Sequence, residues 1–132
     1  MTDNGLISLP SRYSALETMD RLLAALNKRQ LTLFARIDHA AGAAAVGLSL
    51  RPTEAVVFGN PRGGTALMAD RQTAGIDLPL RALVWEDADN KVWLSYNDPQ
   101  WIAQRHGLGA ASAGAVEAMV KALAAIAEEV TK

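Results

Sequence analysis

Residues 80–96 read LRALVWEDADNKVWLSY, two apolar segments joined by the polar tetrapeptide DADN. Both segments are rich in the branched and aromatic residues that pack well on a pleated surface, which is typical of β-strands. Asp and Asn favour turns because their short side chains bond to nearby backbone groups. The stretch therefore predicts an antiparallel hairpin of residues 80–86 and 91–96, and the remaining elements can be placed around it.

Two amphipathic helices are predicted on either side of this hairpin. The first covers residues 15–29, where the sequence SALE at residues 14–17 is a capping box that marks its start. The second is a long helix near the carboxyl terminus. Apolar residues recur at spacings of three and four in both, as expected of a helix face turned toward a core. The residues are Leu16, Met19, Leu22, Leu23 and Leu26 in the first helix, and Val116, Met119, Val120, Leu123, Ile126, Ala127 and Val130 in the second.

Three further strands and three short helical segments complete the prediction. Residues 6–9 form an edge strand before Pro10, residues 31–37 a strand with one buried face, and residues 53–58 a third strand. The alanine-rich residues 40–47 give a helical turn or two. Thr65 caps a short helix over residues 66–69, and Asn97 or Asp98 caps another that begins near Pro99.

This order of elements predicts an α+β fold, a two-layer domain in which a curved, mainly antiparallel sheet packs against two long helices. The 132 residues are the usual size of one domain, so a single domain is expected over residues 1–132. We find no internal repeat and no linker. Stretches of ~18 apolar residues, which a membrane span needs, are absent, and the amino terminus does not resemble a signal segment. A soluble, cytoplasmic protein with no membrane partner is expected.

Composition excludes several classes of function. The chain has 13 Lys and Arg against 14 Asp and Glu, so it lacks the basic surplus that nucleic-acid binding requires. It has no cysteine, which excludes thiol catalysis and thiolate metal sites. With two histidines and no metal-binding spacing, no metal site is predicted, and the sequence names no cofactor.

Four short motifs, in order along the chain, carry a resemblance to a known family. They are IDHAAGAAAVGLSLRPTEAVVFGNP at residues 37–61, VWED at 84–87, YNDP at 96–99 and RHG at 105–107. Together they resemble the domain-of-unknown-function family 302. The resemblance implies a topology similar to that of the TATA-box-binding protein, with helices on one face of a curved sheet. It implies no activity, and shared topology does not bring DNA binding with it.

Polar residues at the ends of the predicted elements are the candidate ligand-binding residues. They are Asp38, His39, Asn60, Glu86, Asp98 and His106. Because neighbouring strands lie ~5 Å apart, we expect Asp38, His39, Asn60 and Glu86 to share one rim of the sheet. His39 could be held by Glu86, Asp87 or Asp98, and His106 or Asn60 could face Glu86. The competing interpretation is that Asp38 caps a turn and Glu86 meets water.

The sequence GNPRGGT at residues 59–65 resembles a phosphate-binding loop only in part. The P-loop pattern has Lys between the last Gly and the Ser or Thr, whereas Thr65 follows Gly64 directly. Arg62 could still help this loop to bind a carboxylate or phosphate. A tight turn before a capped helix is the simpler interpretation.

These observations favour a small-ligand-binding or sensing module that forms a homodimer through its sheet. Candidates for the exposed sheet face are Phe34, Val56, Phe58, Trp85 and Trp93. The alternative is a small acid/base or metal-assisted enzyme that uses Glu86 and His39. A purely structural domain is a third hypothesis. No catalytic residue is assigned.

Overall fold

Five strands form one antiparallel sheet in the computed structural model, which describes residues 4–132. The strands are β1 (Leu6–Ser11), β2 (Thr32–Asp38), β3 (Thr53–Gly59), β4 (Leu80–Glu86) and β5 (Val92–Asn97). Their order in the sheet is β1-β5-β4-β3-β2, so the predicted hairpin β4–β5 lies inside the sheet while β1 and β2 are its edges. Pro10 is tolerated in β1 because an edge strand has one side without partners.

Helices connect the strands, and the last two helices follow β5. They are α1 (Ala15–Lys28), α2 (His39–Ala45), α3 (Pro61–Asp70), the 3₁₀ helix Gln72–Asp77, α4 (Pro99–His106) and α5 (Ala113–Thr131). The start of α3 corrects the prediction that Thr65 is a cap. Asn60 instead accepts a hydrogen bond from the Arg62 amide at 3.0 Å, and Pro61 occupies the first helical position, where a missing amide hydrogen costs little.

The core lies between one face of the sheet and the two longest helices, which confirms the predicted fold class. It joins apolar side chains from α1, α5 and the three inner strands. Among them are Met19, Leu22, Leu26, Leu123, Ile126, Val130, Val56, Phe58, Val84 and Leu94. The predicted stripe of α1 is right at its centre but wrong at one edge, since Leu16 is 70% exposed and Leu23 is only partly buried.

The opposite sheet face carries the residues that alternate with this core. Trp85 and Trp93 are cross-strand partners there, stacked with ring centroids 6.0 Å apart. The prediction that Val56 and Phe58 share this face is wrong. Both side chains have no exposed area and belong to the core beneath the helices.

Strand β2 also differs from its prediction. A buried face was expected, but all seven residues of β2 are exposed. The strand is the outer edge of the sheet, and its pairing with β3 is interrupted by an irregularity at Phe34. An extra residue in one strand bends it and re-aims a side chain, which explains why Phe34 breaks the alternating pattern of the sequence.

The turn between β4 and β5 is organised by Asp87. Its carboxylate accepts hydrogen bonds from the backbone amides of Asp89 and Lys91 and from the indole nitrogen of Trp93, each at 2.9 Å. The Trp93 and Lys91 donors lower the pKa of Asp87, because they favour its charged form. Asn90 has a φ of 62°, a left-handed conformation that Asn tolerates.

Side chains of α1 and of Arg29, the residue that follows it, form hydrogen bonds and ion pairs with the end of α5. Arg21 donates to the carbonyl oxygens of Val130 and Glu129 at 3.1 and 2.9 Å. Lys28 and Arg29 pair with the Glu129 carboxylate and lower its pKa. The Arg21 donors satisfy backbone carbonyls that have no partner within the last turn of the helix.

Among the helices of residues 4–132, none has both the length and the apolar character that crossing a bilayer requires. The cytoplasmic location stays a prediction.

Leu22 is the position at which the core should be most sensitive on α1. We expect Leu22→Ala to lower the free energy of unfolding by about 2 to 5 kcal/mol, because it removes buried methyl groups and leaves a cavity. The measurement is chemical denaturation followed by circular dichroism. Leu16→Ala is the matched control and should cost less than about 0.5 kcal/mol, as exposed substitutions do. Equal losses in the two variants would contradict this assignment of the helix face.

Candidate functional site

The antiparallel pairing divides the predicted site residues between the two ends of the sheet. Asp38 pairs with Glu54 at the start of β3, and Glu86 pairs with Val92 at the start of β5. Asn60 follows Gly59, which pairs with Thr32 at the other end of β2. Since β3 spans seven residues, Asn60 lies roughly 20 Å from the end that carries Asp38. The prediction of one shared rim is therefore wrong.

The error has a simple physical cause. Loops that follow parallel strands meet at one edge of a sheet, but antiparallel neighbours run in opposite directions, so their following loops alternate between the two edges. Strands β2 and β4 end on one side, and β3 and β5 end on the other. Asp38 and Glu86 share an end but are separated by β3, which puts them roughly 10 Å apart across the sheet.

Three of the six residues cap helices. Asp38 accepts a hydrogen bond from the Ala41 amide at the start of α2, and Asn60 does the same for α3. Asp98 accepts from the Gln100 amide at 2.9 Å and is itself buried. A cap satisfies amides that the first helical turn leaves without partners, so these side chains have a structural task at their positions.

Glu86 and His39 are not brought together. Glu86 is partly exposed, and its backbone amide donates to the Pro52 carbonyl, while its side chain has no hydrogen-bond partner within residues 4–132. His39 is exposed at the first position of α2, and the same part of the chain offers its ring no partner. None of the proposed carboxylates, from Glu86, Asp87 or Asp98, contacts His39.

His106 has partners that the sequence did not reveal. Its Nε2 atom lies 2.6 Å from Asp77 Oδ2, and its Nδ1 atom lies 3.0 Å from Thr73 Oγ1. Asp77 also accepts hydrogen bonds from Arg105, whose Nη1 atom lies 3.0 Å from both carboxylate oxygens. The expected pairing of His106 with Glu86 is thus replaced by a pairing with the 3₁₀ helix. The sequence offered no spacing signal for this contact, because residues four apart, such as Thr73 and Asp77, do not share one side of a 3₁₀ helix.

An apolar cavity of about 270 Å³ lies where α3, α5 and the starts of β2 and β4 meet. Its wall contains Met68 and Met119 from the two helices and Phe34 from the irregularity in β2. The remaining lining residues are Gly59, Asn60, Pro61, Gly64, Thr65, Leu78, Pro79 and Leu80. Asn60 is the predicted site residue that this cavity includes.

Glycines of α3 leave room for this cavity. A Cβ atom at Gly63 would lie 3.2 Å from Met119 Cε, and one at Gly64 would lie 3.8 Å from Met68 Cε. A side chain at Gly63 would therefore press on Met119, whereas a Cβ atom at Gly64 would make an ordinary van der Waals contact with Met68. The segment GNPRGGT is a capped helix start, as the simpler interpretation held, and Gly63 lets α3 approach Met119 of α5 closely.

Within residues 4–132, no group of three or more His, Asp or Glu side chains is placed to hold a metal ion.

Comparisons with known proteins agree with this fold. The model of a family described as "Domain of unknown function DUF302" matches residues 7–126. The crystal structure of an uncharacterized conserved protein DUF302 from Bacillus stearothermophilus superimposes with a TM-score of 0.84, covering 96% of this chain and 98% of that one. Sequence identity to it is 16%, so this likeness concerns the fold alone.

Curated relatives are more similar in sequence but much longer. Fluoride-specific ion channel FluC 1 of Brucella suis biovar 1 (strain 1330) is 52% identical over 118 residues, which are 89% of this chain and 46% of that protein. Fluoride-specific ion channel FluC 1 of Brucella abortus biovar 1 (strain 9-941) has the same identity, with 44% of its length covered. The chain thus spans less than half the length of the curated relatives it matches.

Asp98 and Glu86 should respond very differently to substitution. We expect Asp98→Ala to cost about 0.5 to 2 kcal/mol of stability, because it removes the cap of α4. Glu86→Gln keeps the shape of a side chain that has no hydrogen-bond partner among residues 4–132 and should change stability by less than about 0.5 kcal/mol. Urea denaturation of both variants and the parent measures the difference. A large loss in Glu86→Gln would show that its charge has a task absent from the contacts described above.

Proposed function

This chain belongs to the DUF302 family, and we propose that it acts as a small-ligand-binding homodimeric module whose ligand occupies the apolar cavity beside α3. The observation that carries the proposal is the cavity itself, a concave space whose wall is mainly apolar and has few polar groups. Ligand sites in proteins usually have this character.

The lining points to a small and mainly apolar ligand. At about 270 Å³ the cavity is slightly below the usual range of roughly 300 to 1,000 Å³, so it suits a compact molecule. Met68 and Met119 are flexible side chains that can adjust to an irregular shape. Asn60 is already engaged as a helix cap, whereas the Thr65 hydroxyl is exposed and makes no hydrogen bond within residues 4–132. A single polar group on the ligand would therefore meet Thr65.

Fluoride is a less suitable ligand for this cavity, despite the names of the curated relatives. The matched segment is under half of those proteins, and a channel activity belongs to each of them as a whole. A small hydrated anion needs several hydrogen-bond donors to replace its water, and an apolar wall does not supply them. Fluoride therefore serves as a contrast in the experiment below.

The alternative of an acid/base enzyme that uses Glu86 and His39 gains no support from the geometry. The two side chains make no contact with each other or with a shared third group in residues 4–132. General acid–base catalysis requires groups within hydrogen-bond reach of one substrate atom.

Dimerisation is proposed through the edge strand β2, with a second copy of this chain as the partner. Its outer backbone donors and acceptors pair with no other strand of the described residues 4–132, and such edges readily pair with a further strand. Its apolar side chains are unusually exposed, at 45% for Leu33, 51% for Phe34 and 42% for Ile37. Residues 46–50, which follow α2, add the exposed side chains Val46, Leu48 and Leu50.

The apolar residues of β2 favour its own copy as the partner, because both charged side chains near its end are already engaged, Arg36 by Glu54 and Asp38 as the cap of α2. In an antiparallel pairing with its twofold axis at Ala35, β2 pairs along its whole length with the same strand of the second copy. Leu33 of each copy then faces Ile37 of the other, so two apolar contacts form. Phe34 belongs both to this edge and to the cavity wall, which places the interface next to the ligand.

Ligand binding can be tested with benzyl alcohol, a small aromatic probe with one hydroxyl group. We expect it to raise the melting temperature with concentration, because a ligand that binds only the folded state stabilises it. Sodium fluoride at matched ionic strength should leave the melting temperature unchanged. Differential scanning fluorimetry makes both measurements.

Gly64→Leu should abolish the shift by filling the cavity. Gly114→Leu is the matched control, because Gly114 also lies in a helix but has open space around it. This control should keep the full shift. If Gly64→Leu binds benzyl alcohol as strongly as the parent, the ligand does not bind in this cavity and the proposal is wrong.

The dimer is tested by light scattering at tens of micromolar protein. We expect a mass of about twice the 14.0 kDa of one chain. Ile37→Lys places a charge opposite the apolar Leu33 of the other copy at two symmetry-related positions and should give a monomer. Ile76→Lys makes the same change at an exposed residue of the 3₁₀ helix and should remain a dimer. A parent protein that is monomeric at this concentration would contradict the proposal.

A further inference from the structure

His106 joins a hydroxyl group to a carboxylate in a continuous hydrogen-bonded line. Thr73 Oγ1 lies 3.0 Å from Nδ1 of the imidazole, and Asp77 Oδ2 lies 2.6 Å from Nε2 on its other side. Both outer residues come from the 3₁₀ helix, whereas His106 is the last residue of α4. The three groups are distant from Glu86 and His39 in the fold and belong to neither the cavity nor the sheet edge.

The carboxylate decides which ring nitrogen carries the proton. Ionised Asp77 can only accept hydrogen bonds, so a neutral His106 must place its hydrogen on Nε2 to make the 2.6 Å contact. Nδ1 is then an acceptor, and the Thr73 hydroxyl must donate to it. The result is a hydroxyl whose proton already points at a base held by a carboxylate, which is the arrangement of an activated nucleophile.

Burial and charge hold this arrangement in place. The His106 side chain is 6% exposed and that of Asp77 is 14% exposed, so neither is free to rotate into solvent. Arg105 donates to Asp77 and lies over the Trp101 ring, with its guanidinium carbon 5.7 Å from the ring centroid. Thr73, in contrast, is exposed, so its hydroxyl can be approached from solvent.

We propose that Thr73 is a nucleophile for acyl transfer from small esters, with His106 as its general base and Asp77 as a positioning residue. Thr73 and His106 would contact the reacting atoms. Asp77 would act through His106, by fixing its tautomer and orientation.

The reaction has two steps, acylation of Thr73 and hydrolysis of the acyl-enzyme. Thr73 Oγ1 attacks the ester carbonyl carbon as its proton moves to Nδ1 of His106, and the proton then passes to the departing alcohol or phenol when the carbon–oxygen bond breaks. The acyl group is now on Thr73. Water attacks it with His106 again as the base, which releases a carboxylic acid and restores the hydroxyl.

The surroundings limit the substrate to small acyl groups. Thr73 is a secondary alcohol whose methyl group crowds the attacking oxygen, so acetyl esters suit it better than bulky ones. Its exposed position offers no deep pocket that would select a long acyl chain. A reactive ester such as p-nitrophenyl acetate is therefore the appropriate probe.

The experiment measures acetylation of the full chain by p-nitrophenyl acetate. We expect peptide mapping by mass spectrometry to place an acetyl group on Thr73, formed in a burst of p-nitrophenol. Thr73→Val keeps the shape without the hydroxyl and should reduce the burst rate by at least about 100-fold, the lower range for a positioned general base. Thr73→Ser should restore it. Asp77→Asn should lower kcat and leave KM unchanged. Melting temperatures confirm that each variant is folded.

Two results would overturn the proposal. One is a burst of equal size in the parent and in Thr73→Val. The other is acetylation confined to lysines or to the exposed His39, with none on residue 73. In either case the three groups form only a clamp between the 3₁₀ helix and α4.

Discussion

Packing of α1 and α5 on a single face of the sheet is the constraint on which the other features depend. The helices contribute Met19, Leu22, Leu123 and Ile126 to one layer of apolar side chains, and the inner strands contribute the other. Burial of such side chains is the main favourable term in folding, so the strands cannot slip by one residue without exposing the core. Side chains on the opposite sheet face and at the strand ends are therefore held in position by the core, although they do not belong to it.

Most of the polar residues predicted as a site at the ends of the strands have a structural role as helix caps. A chain that alternates short strands with helices must cap each helix, and Asp38, Asn60 and Asp98 do this at three strand-to-helix junctions. Such residues collect at element ends and therefore resemble an active site when only the sequence is read. The groups with unexplained contacts, Thr73, Asp77 and His106, occur instead where two helical segments meet.

Sequence patterns predicted what local chemistry determines. The bounds of β4, the turn at residues 87–90 and the capped start of α1 follow from alternation, turn residues and a capping box, each of which acts within a few residues. The exposed edge position of β2 did not follow, because its alternation of apolar residues looks the same whether or not a helix covers it. The contacts of His106 were also out of reach, since 29 residues separate it from Asp77 and only the folded chain brings them together.

The stacked pair of Trp85 and Trp93 gives the uncovered sheet face an optical signature. Two indole rings with centroids 6.0 Å apart couple their electronic transitions, whereas Trp101 lies apart, next to Gly5. Ser95 and Asp87 accept hydrogen bonds from the two indole nitrogens, so the rings have a fixed mutual orientation. Near-ultraviolet circular dichroism therefore contains a signal that reports on this face alone, and any molecule that covers the face alters that signal while leaving the helical signal at shorter wavelengths intact.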